Sequence, residues 1–421
     1  MADVLSLIPA EPTREAMAVM RLSLVDWLAC GIAGAHEPGP VAVRGLVAEE
    51  GGQGQATLFG GGRAPARAAA LFNGTASHAL DYDDTHFAHI GHVSVGILPA
   101  AMAMAERDGR TLGEMTRAAL MGCEAAIRMG LRLGRGHYQV GFHQTATAGA
   151  YGAAHAASLL HGADAGVHAH ALGLASTRAS GLKSQFGTDG KPFNAGIAAS
   201  NGVEAALLAA RGMVSDPAGW TGPQGFVATH HGDGSASQPT GFLMPAVQHK
   251  FHACCHGLHA TLEALASLKP LAAAEVERVT VYTHPRWLTV CDKPAPRTGL
   301  ELKFSYRAVV ALSVLGYDTA ALATFSDALA HDPAVCALRD RVTVRPDDSL
   351  TETAARLTLV SPGETRTATH DLSDPLPLDA RAARVRAKAA ALLGAARADA
   401  VWQAVHADPG APIAGLAALM A

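Results

Sequence analysis

NGTASHALDYDDTHFAHIGHVSVGILP, from Asn73 to Pro99, is a polar window between two apolar segments that read as helices. It holds three carboxylates (Asp81, Asp83, Asp84), a hydroxyl (Thr85) and four imidazoles (His78, His86, His89, His92). General acid–base chemistry needs donors and acceptors held close together, and His and Asp are its usual carriers. The plainer alternative is a polar surface loop whose aspartates cap helices.

Upstream, Pro65 to Asn73 reads as a short helix, its proline in the first turn where no N–H partner is lost. Before it, ATLFGGG reads as a short extended piece and a turn, and Val41 to Glu50 as a helix. Glu15 to Ala35 reads as a mostly apolar helix with Asp26 inside it, and a buried Asp needs a partner. Downstream, Ala100 to Arg107 and Leu112 to Arg135 carry helical spacing. Glycines then break the pattern, and His143 stands at the mouth of a helix from Ala146 to Leu160. The free N–H groups and dipole of that first turn suit an anion; the alternative is that His143 merely caps it.

Asp164 to Ser180 reads as helix. GLKSQFGTDGKPFNAG follows as a loop with Lys183 and Lys191 among four glycines, and Ile197 to Arg211 is helical. Val214 to Pro245 shifts to Gly, Pro, Ser, Thr and Asp, a long irregular segment and candidate boundary. HKFHACCHGLHATLEAL then leads into a helix from Gly257 to Leu268. Beyond Pro270 the period changes. Val276 to His284, Asp340 to Asp348, Ala354 to Pro362 and Thr365 to Leu372 alternate as strands do, the last two as a hairpin. Helices are expected from Tyr306 to Leu315 and near Thr319 to Leu329, so this block is α+β. Asp379 to Leu393 and Ala398 to Met420 return to helix.

The 421 residues suffice for two domains and a large core. Abundant Ala and Gly predict helices in close approach. The net charge of -4 and the lack of a basic face argue against nucleic acid as a partner. Six scattered cysteines without a CxxC pair argue for reduced thiols in a cytoplasmic protein. No signal peptide and no uncharged apolar run of membrane-spanning length are expected.

The residue types suit moving a proton at a carbon next to a carboxylate. An imidazole or carboxylate takes the proton, a second acid protonates a leaving group, and Lys or Arg holds the substrate. Asp84, His86, His89 and His92 make an alternative metal set, though HIGH is not a ligand motif. Cys254 and Cys255 beside His252 and His256 offer a nucleophile, or simply small buried residues. GGQGQATLFGGG fits neither nucleotide-binding loop pattern.

The segments N-G-x-x-x-H-A-L-D-Y-D-D-T (Asn73 to Thr85), H-V-S (His92 to Ser94), G-F-H-x-T (Gly141 to Thr145), G-T-D-G-K-P-F-N-A-G (ending at Gly196), K-F-H-A-C (Lys250 to Cys254) and K-F-S (Lys303 to Ser305) together resemble the MmgE/PrpD family. The resemblance implies a mainly α protein. A large all-helical domain, residues 1–245 and 374–421, would carry a smaller α+β lid domain, 246–373, with the active site in the cleft and a homodimer as the assembly. Family activities include 2-methylcitrate dehydratase, cis-aconitate decarboxylase and iminodisuccinate epimerase, without metal or organic cofactor.

Carried over by position, His92, His143, Asp81 and Lys191 become the catalytic set. Thr85 also matches by position, and with Lys250 near an often basic lid position, His252 beside Cys254 and Tyr306 two residues before Ala308, it is expected to bind a small di- or tricarboxylate. The chain departs from the family pattern where Val93 replaces the proline of H-P-S, where Cys254 stands at a decarboxylase-like His, and where Ala308 stands at a Tyr. The expected reaction is a methylcitrate-type dehydration, with an epimerase or a decarboxylase as alternatives. A non-catalytic helical protein with a residual polar loop is the remaining possibility.

Overall fold

The computed structural model describes residues 2–234 and 238–421. Two units divide the chain: Met1–His249 with Val385–Ala421, and Lys250–Arg384.

In the first unit, Thr13 opens the Arg14–Gly34 helix by accepting the N–H of Ala16 at 3.1 Å. By length and apolarity this helix could cross a membrane, but 78% of its most apolar window is buried inside the protein. Asp26, in its middle, has the expected partner in the ammonium of Lys388. Pro38 sits in the first turn of Pro38–Glu50. The extended piece is there too, Ala56–Thr57 pairing antiparallel with Arg63–Ala64.

The next helices run Ala66–His78, Ser94–Arg107, Leu112–Gln139, Gln144–His161, Ala165–Arg178 and Gly190–Ala209. Thr111 and Glu114 close a reciprocal capping box on the longest of them, and Gly134 (φ 72°) kinks it before its end. The abundance of small residues has a local use. A Cβ on Gly74 would lie 2.8 Å from the Cα of Gly196, so these two helices meet backbone to backbone.

Three boundaries differ from expectation in ways that matter for the site. The Ala66 helix runs on to His78, so the polar window begins as helix. The following helix starts at Ser94, with Pro99 inside it. Lys191 lies in the first turn of the Gly190 helix, not in a loop. Among the described residues from 214 to 249 the chain is irregular apart from the short Phe226–Thr229 helix and a single turn at Met244–Ala246. Glu124 accepts the N–H groups of Leu243 and Met244, at 2.7 and 2.6 Å, and anchors that stretch.

The second unit is α+β. Its sheet has the strand order Val342–Pro346, Arg278–Thr283, Ala354–Ser361, Glu364–Asp371; the first pair is parallel and the others antiparallel. Alternation aligns Val279 with Leu359 and Val281 with Leu357 on the buried face. Gly363, at φ 74°, turns the predicted hairpin. The Tyr306–Val314 helix is as expected. The stretch from Thr319 forms only the short Leu322–Thr324 and Asp327–Ala330 turns before a helix at Pro333–Arg339. Asp332 caps that helix, and the proline at its start is set for a first turn. After Leu378–Leu393, the C-terminal region breaks at Asp408-Pro409-Gly410, so Ala395–Val405 and Ala414–Ala417 replace one long helix.

Candidate active site

Four chain segments of the helical unit converge. His78 ends one helix, Asp81 and Asp83 follow in the loop, and His92 stands just before the Ser94 helix. His143 occupies the N-cap position of the Gln144 helix, and Lys191 lies in the first turn of the Gly190 helix. Three helix starts therefore surround the group, and the positive ends of their dipoles favour negative charge there.

Asp83 sits between two imidazoles. Its Oδ1 lies 2.9 Å from His78 Nδ1 and its Oδ2 lies 2.8 Å from His92 Nδ1. Asp81 bridges outward, with Oδ1 3.3 Å from His92 Nε2 and 2.7 Å from Lys191 Nζ. Asp81 and Asp83 face the imidazoles, while Asp84 accepts the N–H of Ser94 at 3.2 Å. Asp81 holds φ 51°, a conformation that Asp tolerates better than most residues.

The rings pack as well as pair. His78 meets His92 edge-on at 4.5 Å and stacks on His143 at 6.1 Å. Phe186 touches His143 edge-on at 4.9 Å, with the Lys191 ammonium 5.4 Å from its ring. The N–H of His92 donates to Thr145 Oγ1 at 2.9 Å, which ties the loop to the next helix. Thr85 exchanges backbone hydrogen bonds with Gln248, at 2.9 and 2.7 Å. Asp81 and Lys191 have the most exposed side chains of the set, at 25% and 17%, whereas His78 and Asp83 lie beneath them.

His143 is not a cap: its side chain makes no cap bond. The amide nitrogen of Asn194 reaches both His143 Nδ1 (3.1 Å) and the carbonyl of Leu182 (3.3 Å). A carbonyl can only accept, so this nitrogen is a donor, and Nδ1 of His143 accepts its other hydrogen. The neutral ring then carries its proton on Nε2.

The two predicted histidines are driven apart. Burial pulls His92 down, but the Asp83 and Asp81 carboxylates outweigh it, and the imidazole stands above its ordinary value. Burial, reinforced by the charges of His78, Lys191 and His92, pushes His143 well below its ordinary value. Burial likewise takes His78 down to about 4. Burial opposes ionisation of Asp83, yet its two imidazole partners hold it far below the usual carboxylate range. Environments that separate two titrating groups in this way mark an acid and a group kept neutral.

Asp84, His86, His89 and His92 do not form one site. His86 Nε2 donates to Leu243 O and His89 Nδ1 to Ala126 O, both at 3.1 Å and in different directions. Burial lowers these imidazoles to about 4 and about 3. The compact donor set among the described residues is His78, Asp83 and His92, whose ligand atoms lie within 4.8 Å of one another. All six cysteines are free. Cys254 is buried and Cys255 half-buried; burial and Cys255 push the neighbouring Cys291 thiol well up.

Lys250, His252 and Tyr306 belong to the α+β unit. Lys250 is buried. His252 has both ring nitrogens engaged, Nδ1 with Thr319 Oγ1 at 2.7 Å and Nε2 with Glu263 at 3.2 Å. Tyr306 is a correction. It is fully buried and its hydroxyl donates to Gly257 O at 2.7 Å, with Thr283 Oγ1 at 2.9 Å, so the phenol holds its own unit together and is not offered to a ligand. Sequence reasoning left His78, Asp83 and Asn194 out of the site. The i, i+2 spacing of Asp81 and Asp83, and the helical i, i+3 spacing of Lys191 and Asn194, were the signals for two of them.

Both domain models of one family match the chain: the MmgE/PrpD N-terminal domain over residues 2–238 and the MmgE/PrpD C-terminal domain over 252–377. A cis-aconitate decarboxylase-like protein, oryM, of Aspergillus oryzae is 27% identical over 376 residues, 81% of this chain and 77% of that protein. Human cis-aconitate decarboxylase is 32% identical over 156 residues, 36% of this chain and 32% of that one. The Aspergillus terreus cis-aconitate decarboxylase is 35% identical over 149 residues, 34% and 30% of the two chains.

Proposed function

The chain belongs to the MmgE/PrpD family, and from that premise we propose that it is a lyase that decarboxylates a small tricarboxylate of the cis-aconitate type, without metal or organic cofactor. The observation that carries the reading is the unequal pairing of two imidazoles, His92 set between the Asp81 and Asp83 carboxylates and His143 Nδ1 taking the Asn194 amide. Loss of carbon dioxide from an unsaturated tricarboxylate needs one proton and no base. The carbon–carbon bond to the leaving carboxylate breaks, and its electron pair passes into the allylic system and toward a neighbouring carboxylate. A proton then closes the carbanion at carbon.

His92, held above its ordinary pKa between the Asp81 and Asp83 carboxylates, is the proton donor. Lys191 and the Nε2–H of His143 face the negative charge that develops on the substrate and stabilise it. The Lys191–Asp81 pair, at 2.7 Å, exchanges its carboxylate partner for one from the substrate when the site fills. The named relatives support the same choice, since each is described as a cis-aconitate decarboxylase or as like one. A cytoplasmic homodimer is part of the proposal, measured by cell fractionation and sedimentation.

A methylcitrate-type dehydration is the second reading. Asp81, the most exposed carboxylate of the group, would serve as its base. Cys254, where decarboxylase-like members place His, weighs against decarboxylation, and Ala308, where decarboxylase-like and dehydratase-like members both place Tyr, keeps the epimerase reading open. One experiment separates the readings: incubation with cis-aconitate, 2-methylcitrate, citrate and iminodisuccinate in deuterated water. We expect gas release from cis-aconitate with one deuterium in the diacid product. Water loss from 2-methylcitrate without gas would replace decarboxylation by dehydration. Deuterium entering an α-carbon with neither event would make the protein an epimerase.

A further inference from the structure

Lys388 lies on the Leu378–Leu393 helix, 306 positions after the residue it holds. The residue is 3% exposed. It donates to the carbonyl oxygen of Tyr82 at 2.5 Å, lies 2.5 Å from Asp26 Oδ1, and stands 4.0 Å from the centre of the Tyr82 ring. Burying an ammonium is costly unless it is paired and hydrogen-bonded, and here both conditions are met.

The place it grips is specific. Tyr82 is the residue between Asp81 and Asp83, the two carboxylates that flank His92. Asp81 is held at φ 51°, a strained backbone that persists only where its surroundings over-determine it. The N–H of Asp81 donates to His78 O at 3.1 Å on one side, and Lys388 fixes the carbonyl of the next residue on the other. Asp26 does not touch the imidazoles; burial raises it to about 7 against the pull of Lys388.

We infer that Lys388 is a positioning residue: it clamps the Tyr82 carbonyl and so sets the Asp81 and Asp83 carboxylates against His92. This rests on the reading of His92 as the proton donor. Lys388 touches no substrate and acts through the loop.

The test pairs Lys388→Met with the double variant Asp26→Asn/Lys388→Met, which removes the buried charge of Asp26 along with its partner. Both are measured for thermal midpoint, for kcat and KM on cis-aconitate, and for the titration of His92 by NMR, assigned against His92→Gln. We expect kcat to fall about 100-fold with KM little changed, as misplacement of a catalytic group by about an ångström does. The double variant should regain thermal stability and not kcat.

The titration adds a sign that mere loss of charge cannot mimic. Removing a distant cation alone would raise His92. Withdrawal of Asp81 and Asp83 would lower it, toward what burial dictates beside Lys191. We expect it lower. A folded double variant with wild-type kcat, or with His92 unmoved or raised, overturns the inference. The titration needs no substrate, so it decides the role of Lys388 even if the wild-type protein turns over none of the carboxylates.

Discussion

Each unit of the chain carries a cluster of histidines, and the two are built differently. In the α+β unit, His252 is engaged by Thr319 and Glu263, and His259 by the carbonyl of Cys254. Burial holds His259 far down, with His256, His252 and Lys250 adding to it, and among the described residues no carboxylate pairs with its ring. In the helical unit, two carboxylates address His92 while His143 receives none and takes an amide instead. The contrast teaches that a histidine-rich stretch announces nothing by itself. What occupies the ring nitrogens decides whether the ring is mortar or a proton carrier.

The comparison breaks most directly by removing its central member. His92→Gln should lower kcat by about 1,000-fold, within the range for loss of a general acid; turnover within tenfold of wild type would remove His92 from the chemistry. His143→Ala should cost at least about 100-fold, and a near-normal rate would return it to a packing role. Asp83→Asn sharpens the contrast. Activity that needs charged His92 is present at low pH and falls as pH rises through the folded pKa, which lies above the ordinary 6.5. Removing Asp83 should shift that alkaline limb downward by about one unit, and a limb left in place would assign it to another group.

Smaller effects concern stability. His78 and His86 stand near 4 in the fold and ordinarily near 6.5, so they bind protons on unfolding between those values. Their contribution is present above about pH 6.5 and is lost as pH falls toward 4, which denaturant melts across that window would show. In the other unit, Tyr306→Phe should cost about 1–2 kcal/mol of stability with kcat unchanged. A collapse of kcat in a folded Tyr306→Phe protein would restore the phenol to the site.

Much of this was legible in residue order. Helical spacing, the strand block after Pro270 and the motif series carried the mainly helical body, the α+β block and the family. His92, His143, Asp81 and Lys191 were each nominated from their motifs, and their side chains converge. What was not legible is instructive. Tyr306 follows a motif closely enough to suggest a ligand contact, but the hydrogen bonds that claim its hydroxyl come from Gly257 and Thr283, and no local pattern shows that. Asn194 falls in the stretch read as a loop, and only the fold sets it on a helix beside Leu182 O and His143. Lys388 sits in a stretch of alanines and arginines, and only the fold brings it to Tyr82.

The glycine contact between two helices reaches further than packing. A Cβ on Gly196 would lie 2.3 Å from the carbonyl oxygen of Leu71, so the Gly190–Ala209 helix can rest against its neighbour only where that side chain is missing. Lys191 rides on the same rod, five residues back. The reach of its ammonium toward Asp81 is therefore gauged by a gap, and one added methyl group there would act as a shim that holds the cation out of register with its carboxylate.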